Sequence, residues 1–178
     1  TKGVVGSIEC INPKLHEKIC PSKPIEPYEK MFDSAQKQGI KKAMTMIVGL
    51  GETKGDFDKL KGFISRDNIT KIHIYGLNPQ KGTEFEHTFP PSKEQQAWWI
   101  AKTRIAFPKI DIQCGIWLER TDYLETLLKA GANSISKFPM MRRFAGKECN
   151  DIIEQTKKAD RRFVGNIDDI EAALRIDW

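Results

Sequence analysis

Five short apolar runs alternate with stretches that carry helix start signals, and this alternation constrains the fold more than any other feature. The runs lie at residues 4–9, 43–50, 71–77, 111–116 and 134–138. Helices are predicted between them at 24–38, 53–65, 92–106 and 121–129. Thr53, just before Lys54 and Asp56, and Ser92, with Gln95 three residues on, are N-cap signals. Gly39 and Gly131 stand where helices should stop. Short apolar runs suit parallel strands covered on both faces. Strands alternating with helices imply βαβ units with right-handed crossovers. Past Lys137 the pattern weakens: "KFPMMRRFAGKE" reads as a long loop, and 147–158 and 168–175 as short tail helices. The reading is therefore an α/β domain over residues 1–140 and a helical tail over 141–178, with no internal repeat.

Five βα units fit an open doubly wound sheet, or the last five units of an eight-stranded (β/α) barrel. Both architectures place chemistry at the carboxyl ends of the strands. "MTMIVGLGET", Met44 to Thr53, is such an end. Its glycines remove side-chain bulk, which would let a ligand approach the backbone. Glu52 follows at once, placed to order the turn or to accept from a ligand amine. The chain starts at Thr1 with "KGVVGSIE", a strand already under way, which predicts a fragment.

Composition excludes several classes. No apolar run approaches the roughly 20 residues that a membrane helix needs. Four cysteines with no C-x-x-C pair and no leader-like segment predict a reducing, cytoplasmic setting. A net charge of +5 suits an anionic cofactor or acidic partner and argues little for nucleic acid.

Four stretches, in order, resemble the radical S-adenosylmethionine (SAM) barrels of the biotin synthase group. "MTMIVGLGET" resembles the fifth barrel strand, which ends in I-x-G-x-G-E beside the adenosine of SAM; the matching residues are Ile47, Gly49, Gly51 and Glu52. Thr45 stands where the broader motif has another glycine. "GSIECINPKLHEKI" resembles the fourth strand and its helix, where an acidic residue meets the ribose or amino acid portion. Glu9 is that match, and a one-residue offset would shift the role to Cys10. "IHIYGLNPQKGTEFE" resembles the sixth strand and the loop after it, so that Ile74 to Leu77, followed by Asn78, would flank the adenine. "AKTRIAFPKIDIQCG", with "LLKAGANSISKF" downstream, resembles the segment shared by biotin and thiamin synthesis enzymes. "ECINPKLHEKICPSKP" and "NPQKGTEFE" resemble most the archaeal-type lipoyl synthases.

The resemblance implies the C-terminal portion, about five βα units, of a TIM-type radical SAM barrel. It implies a 4Fe-4S cluster that passes an electron to SAM and a 5′-deoxyadenosyl radical that takes hydrogen from an unactivated C–H bond. It also implies sulfur insertion, into a protein-bound octanoyl chain if the lipoyl synthase likeness holds. The family's C-x3-C-x2-C cluster motif is absent, so those ligands are expected in an upstream barrel segment or a partner chain. Ala43 stands where biotin synthases carry a cluster cysteine, which argues against their second cluster. Cys20 and Cys149, outside the predicted strands, are the candidates for an auxiliary 4Fe-4S cluster.

Plainer readings stand beside these. Glu52 also fits a solvated first-turn carboxylate, and Glu9 an ordinary ion pair. Cys10 and Cys114 on strands fit core packing. His16 and Cys20, four apart, have ligand spacing, but such a pair is usually structural. Arg142–Arg143 and Arg161–Arg162 suit a solvated surface, or a docking face for an acyl carrier or lipoyl domain. Two other classes remain open: a non-radical barrel enzyme holding a phosphorylated substrate on backbone donors at "GLGET" and "NPQKGT", and a noncatalytic partner subunit.

Overall fold

The computed structural model describes residues 3–136 and 146–164. Five strands form one parallel sheet in the order β1 to β5: β1 Gly3–Glu9, β2 Lys41–Val48, β3 Lys71–Gly76, β4 Asp111–Gly115 and β5 Ser134–Ser136. Each strand pairs with the next in sequence, so every connection must cross back over the sheet. The helices make those crossings: α1 Pro13–Ile19, α2 Glu26–Lys37, α3 Phe57–Arg66, α4 Lys93–Ala106 and α5 Leu124–Lys129, with α6 Lys147–Lys158 following β5. Short 3-10 turns, Lys54–Asp56 and Leu118–Tyr123, lead into α3 and α5. The arrangement is an α/β fold compatible with part of a (β/α) barrel. Among the described residues no helix is long and apolar enough to cross a membrane.

Among the described residues the two faces of the sheet are buried to different degrees. Burial alternates with period two along β2 and β3. Met44, Met46 and Val48 join Ile72, Ile74, Ile112 and Cys114 in the main core, against Phe32 of α2, Leu60 of α3 and Ile100 of α4. The other face presents Thr45, Ile47, His73, Tyr75 and Gln113, all half-buried. Thr45, His73, Gln113 and Ser134 stand in register across β2 to β5. One apolar face and one mixed face are what a strand with inward and outward sides in a barrel wall requires.

Local signals explain most boundaries. Ser92 and Gln95 exchange backbone hydrogen bonds at the start of α4, as the capping pattern predicts. Helix α6 spans 147–158, as expected from the sequence. Asn12 caps α1 by accepting from the Leu15 N–H at 3.3 Å. The predicted helix 168–175, Arg142–Arg143 and the 137–145 part of the long loop lie outside the described residues.

Candidate cofactor site

The carboxyl ends of β1, β2 and β3 enclose a cavity of about 450 Å³. Its walls are Glu9, Thr45, Ile47, Tyr75, Leu77 and Asn78, with Gln80 and Trp117 at the rim. Glu9 is the one charged residue among them. It carries a positive φ of 60°, and the Cys10 N–H donates to the Ile8 carbonyl across it at 2.6 Å. Such a γ-turn at a non-glycine residue is rare and strained, and strain of this kind clusters at functional sites. The Thr45 hydroxyl donates to the Glu9 carboxylate at 3.4 Å, and Lys23 lies 3.8 Å away. Lys23 is half exposed, so that ion pair is worth little and leaves Glu9 open to another donor.

Tyr75 owes its place to a glycine. A Cβ built on Gly115 would stand 2.0 Å from the Tyr75 ring. We expect Gly115→Ala to push Tyr75 out of the cavity and to cost about 2 kcal/mol through overpacking. Chemical denaturation measures the cost, and tyrosine and tryptophan fluorescence follows the ring. An unchanged midpoint would mean that Tyr75 moves freely.

In the "GLGET" turn the carboxylate orders its own backbone, one of the two roles its position allows. Both Glu52 oxygens are already engaged, accepting from the Gly49 N–H at 2.8 Å and the Leu50 N–H at 2.9 Å. Burial raises the Glu52 pKa above its ordinary value, although the N–H groups of Gly49 and Leu50 oppose that shift. Gly49 and Gly51 have φ of 102° and 113°, which favour glycine. A Cβ on Gly49 would meet Pro91 and Leu77 at 3.1–3.2 Å, so a side chain there would be crowded. Gly49, Gly51 and Glu52 line a separate cavity of about 390 Å³ against Pro91, Trp98 and Trp99.

The expected cradle thus divides. Glu9, Ile47, Leu77 and Asn78 converge on the first cavity, while Gly49, Gly51 and Glu52 shape the turn beside it. Ile74 belongs to neither: it is fully buried in the helix-covered core, and Tyr75 takes the cavity-facing position. Residue-level reading misses Trp117, yet its position two residues past β4, at a strand's carboxyl end, is a usable signal.

The cysteines do not assemble. Cys20 closes α1, and Cys149 is fully buried in α6, which packs on α5 and the 3-10 turn before it. Among the described residues no group of three or more His, Cys, Asp or Glu side chains is arranged to hold a metal ion. Cys20 and Cys149 therefore form no common site there, and the expected auxiliary cluster finds no ligand set. Burial pushes the Cys10 thiol up to about 11 and Cys114 to about 12, which suits inert core thiols rather than thiolate ligands. His16 is buried on α1, and its carbonyl accepts the Cys20 N–H at 2.7 Å.

SAM fits the first cavity by donor set: a carboxylate for ribose hydroxyls or an ammonium, and apolar and aromatic walls for a flat base. The described residues bring together no group of three or more side chains that could hold an iron–sulfur cluster.

No protein-family model matches the chain. It is 34% identical over 170 residues to an uncharacterized protein of Methanocaldococcus jannaschii, covering 96% of this chain and 47% of that protein. It is 32% identical over 154 residues to a biotin synthase of Clostridium perfringens, covering 85% of this chain and 45% of that enzyme. It is 30% identical over 120 residues to a 7,8-didemethyl-8-hydroxy-5-deazariboflavin synthase of Archaeoglobus fulgidus, covering 65% and 37%. The chain spans about half the length of the first curated relatives it matches. These similarities relate it to the radical SAM, biotin synthase-like proteins.

Proposed function

We propose that the complete protein is a radical SAM enzyme whose SAM lies in the cavity at the ends of β1 to β3. We further propose that it inserts sulfur at unactivated C–H bonds of an octanoyl chain carried on a protein domain, as a lipoyl synthase does. The observation that carries the SAM reading is the convergence of Glu9, Thr45, Ile47, Tyr75, Leu77 and Asn78 on one cavity. Bound there, SAM would supply, on one-electron reductive cleavage to methionine, the deoxyadenosyl group that abstracts hydrogen from the substrate. Glu9 accepts from the ribose hydroxyls or the ammonium group, oriented by the Thr45 hydroxyl. Tyr75, Trp117, Ile47 and Leu77 cover the base and exclude water. The 4Fe-4S cluster would take its ligands from elsewhere in the complete protein, and the acyl carrier would dock from outside.

The phosphate-binding alternative is less well supported. Both backbone cradles it needs are occupied by carboxylates: Glu52 takes the Gly49 and Leu50 N–H groups, and Glu86 takes the Gly82 N–H at 2.8 Å. Among the described residues the one charge lining the cavity is negative.

Glu9→Gln in the complete protein should weaken SAM binding by roughly tenfold to a hundredfold, the loss of a charge-assisted hydrogen bond. Calorimetric titration measures this, and unchanged affinity would remove Glu9 from the site. The substrate reading has its own test. With the cluster loaded, an octanoylated carrier domain should speed release of 5′-deoxyadenosine, and the acyl chain should gain sulfur by mass spectrometry. Stimulation by a small metabolite, with no sulfur on the chain, would end the lipoyl reading alone.

A further inference from the structure

One loop holds three consecutive residues beyond the middle of β3. Trp117 Nε1 donates to the Gly76 carbonyl at 2.9 Å. Arg120 donates from one guanidinium nitrogen to the Leu77 carbonyl and from another to Oδ1 of Asn78, each at 3.0 Å. The last bond decides the sense of an amide. A guanidinium has donors and no acceptor, so Asn78 must turn its oxygen toward Arg120. The amide nitrogen is then the free end. Among the described residues no protein acceptor meets it, and Asn78 lines the cavity. The backbone behind it is braced as well, since Gln80 Nε2 donates to the Asn78 carbonyl at 3.0 Å. Arg120 is itself fixed: its N–H donates to the Trp117 carbonyl at 2.9 Å, and its backbone leaves helical geometry at that position, with φ −137° and ψ 38°.

Asn78 follows β3 and Glu9 ends β1, two strands apart. Strand spacing puts them roughly 10 Å from each other. The cavity therefore offers a donor at one end and an acceptor at the other, with Tyr75 and Trp117 providing flat apolar surface.

We propose that Arg120 is a positioning residue that sets Asn78 as a hydrogen-bond donor into the cavity, selecting a ligand with an acceptor nitrogen on its flat ring. On the SAM reading, on which this rests, that acceptor is a ring nitrogen of the adenine. Arg120 touches no ligand. It acts by fixing which way the Asn78 amide faces.

The test uses the complete protein and S-adenosylhomocysteine, with its 1-deaza, 3-deaza and 7-deaza counterparts, in calorimetric titrations. The unaltered protein should bind the parent roughly tenfold more tightly than one of the three deaza compounds. Asn78→Asp keeps and strengthens the pairing with Arg120 but removes the donor. It should melt no lower than the unaltered protein, bind the parent roughly tenfold more weakly and no longer distinguish the deaza compound. Arg120→Ala should weaken binding several-fold more when Asn78 is present than in an Asn78→Ala background, where only its bond to the Leu77 carbonyl is lost. Equal binding by Asn78→Asp, or no discrimination among the deaza compounds by the unaltered protein, would overturn the proposal and leave the SAM reading standing. If the unaltered protein binds neither SAM nor S-adenosylhomocysteine, the SAM reading itself fails, and this assignment fails with it.

Discussion

Replacing Asp56 by alanine is expected to destabilise the protein by about 3 kcal/mol at neutral pH, because one buried carboxylate serves four donors. Its side chain is 4% exposed. Oδ1 accepts from Asn12 Nδ2 at 2.9 Å and Lys59 Nζ at 2.5 Å. Oδ2 accepts from the Thr53 N–H at 2.9 Å and the Thr53 hydroxyl at 3.2 Å. Hydrogen bonds to a charged group contribute about 1.5–3 kcal/mol each, and bonds sharing one acceptor group do not add fully. Asn12 lies three residues past Glu9, and Thr53 directly follows Glu52, so Asp56 pins the loop after β1 to the turn after β2. Burial by itself would raise its pKa. The bonds from Lys59, Thr53 and Asn12 outweigh burial and bring it down from 3.8 to about 2. A carboxyl depressed by folding contributes stability that is complete above its unfolded pKa and is lost as pH falls through its folded pKa. The window is therefore about pH 4 down to pH 2, and the shift corresponds to about 2 kcal/mol. Urea denaturation of the parent and of Asp56→Ala should show the gap between them closing by that amount across the window. A gap that stays constant with pH would mean that Asp56 is not an ionised hub.

The fold is legible in the sequence to the extent that its signals are local. Ser92 with Gln95 marks the start of α4 because a capping box is written in four consecutive residues. The five apolar runs announce five strands because each is bounded by glycine or polar residues. Residue patterns pass over α1, although the resemblance places a helix there. Its start, Asn12 before Pro13, is an ordinary N-cap followed by a single buried residue, His16, too short a stretch to show helical periodicity. Strand parity is harder to read. "IHIYGL" has apolar residues on both alternating sets, so nothing local says whether Ile74 or Tyr75 faces the helices. Partners on the two neighbouring strands decide it: Ile74 stands in register with Met46 of β2 and Cys114 of β4, both of the main core.

The site is less legible than the fold, for a related reason. Glu9 and Asn78 can be picked out as polar residues at strand ends, where parallel sheets gather chemistry. Arg120 cannot, because the groups it bonds, on Leu77 and Asn78, lie more than 40 residues earlier in the chain. Glu52 is the instructive case. A carboxylate after a glycine turn reads equally well as a ligand contact and as a bond to its own backbone. Only the placement of its oxygens against the Gly49 and Leu50 N–H groups separates the two.

That placement gives Glu52→Ala an effect distinct from a lost ligand contact. The substitution strips the partners from two N–H groups in a turn where Leu50 is buried and both glycines hold positive φ. Water can reach part of this turn and recover some of the loss, so the expected cost is about 2–3 kcal/mol of stability. SAM affinity in the complete protein should fall by less than tenfold, and only because Leu50 and Leu77 share one small apolar cluster beneath the cavity. Glu9→Gln should do the reverse, with little loss of stability and a large loss of affinity. The pH dependence separates Glu52 from Asp56 as well. Burial holds the Glu52 carboxyl above its ordinary pKa despite the opposing N–H bonds. A carboxyl raised by folding contributes stability that is present below its unfolded pKa and is lost as pH rises through its folded value. The penalty for Glu52→Ala should therefore shrink as pH rises from about 4.3, the unfolded value. The penalty for Asp56→Ala should shrink as pH falls from about 4. Denaturation of both variants across pH 2 to 7 puts the two carboxylates on one plot. Parallel curves would show that one of these environments has been misassigned, and a hundredfold loss of SAM affinity in Glu52→Ala would return Glu52 to the ligand.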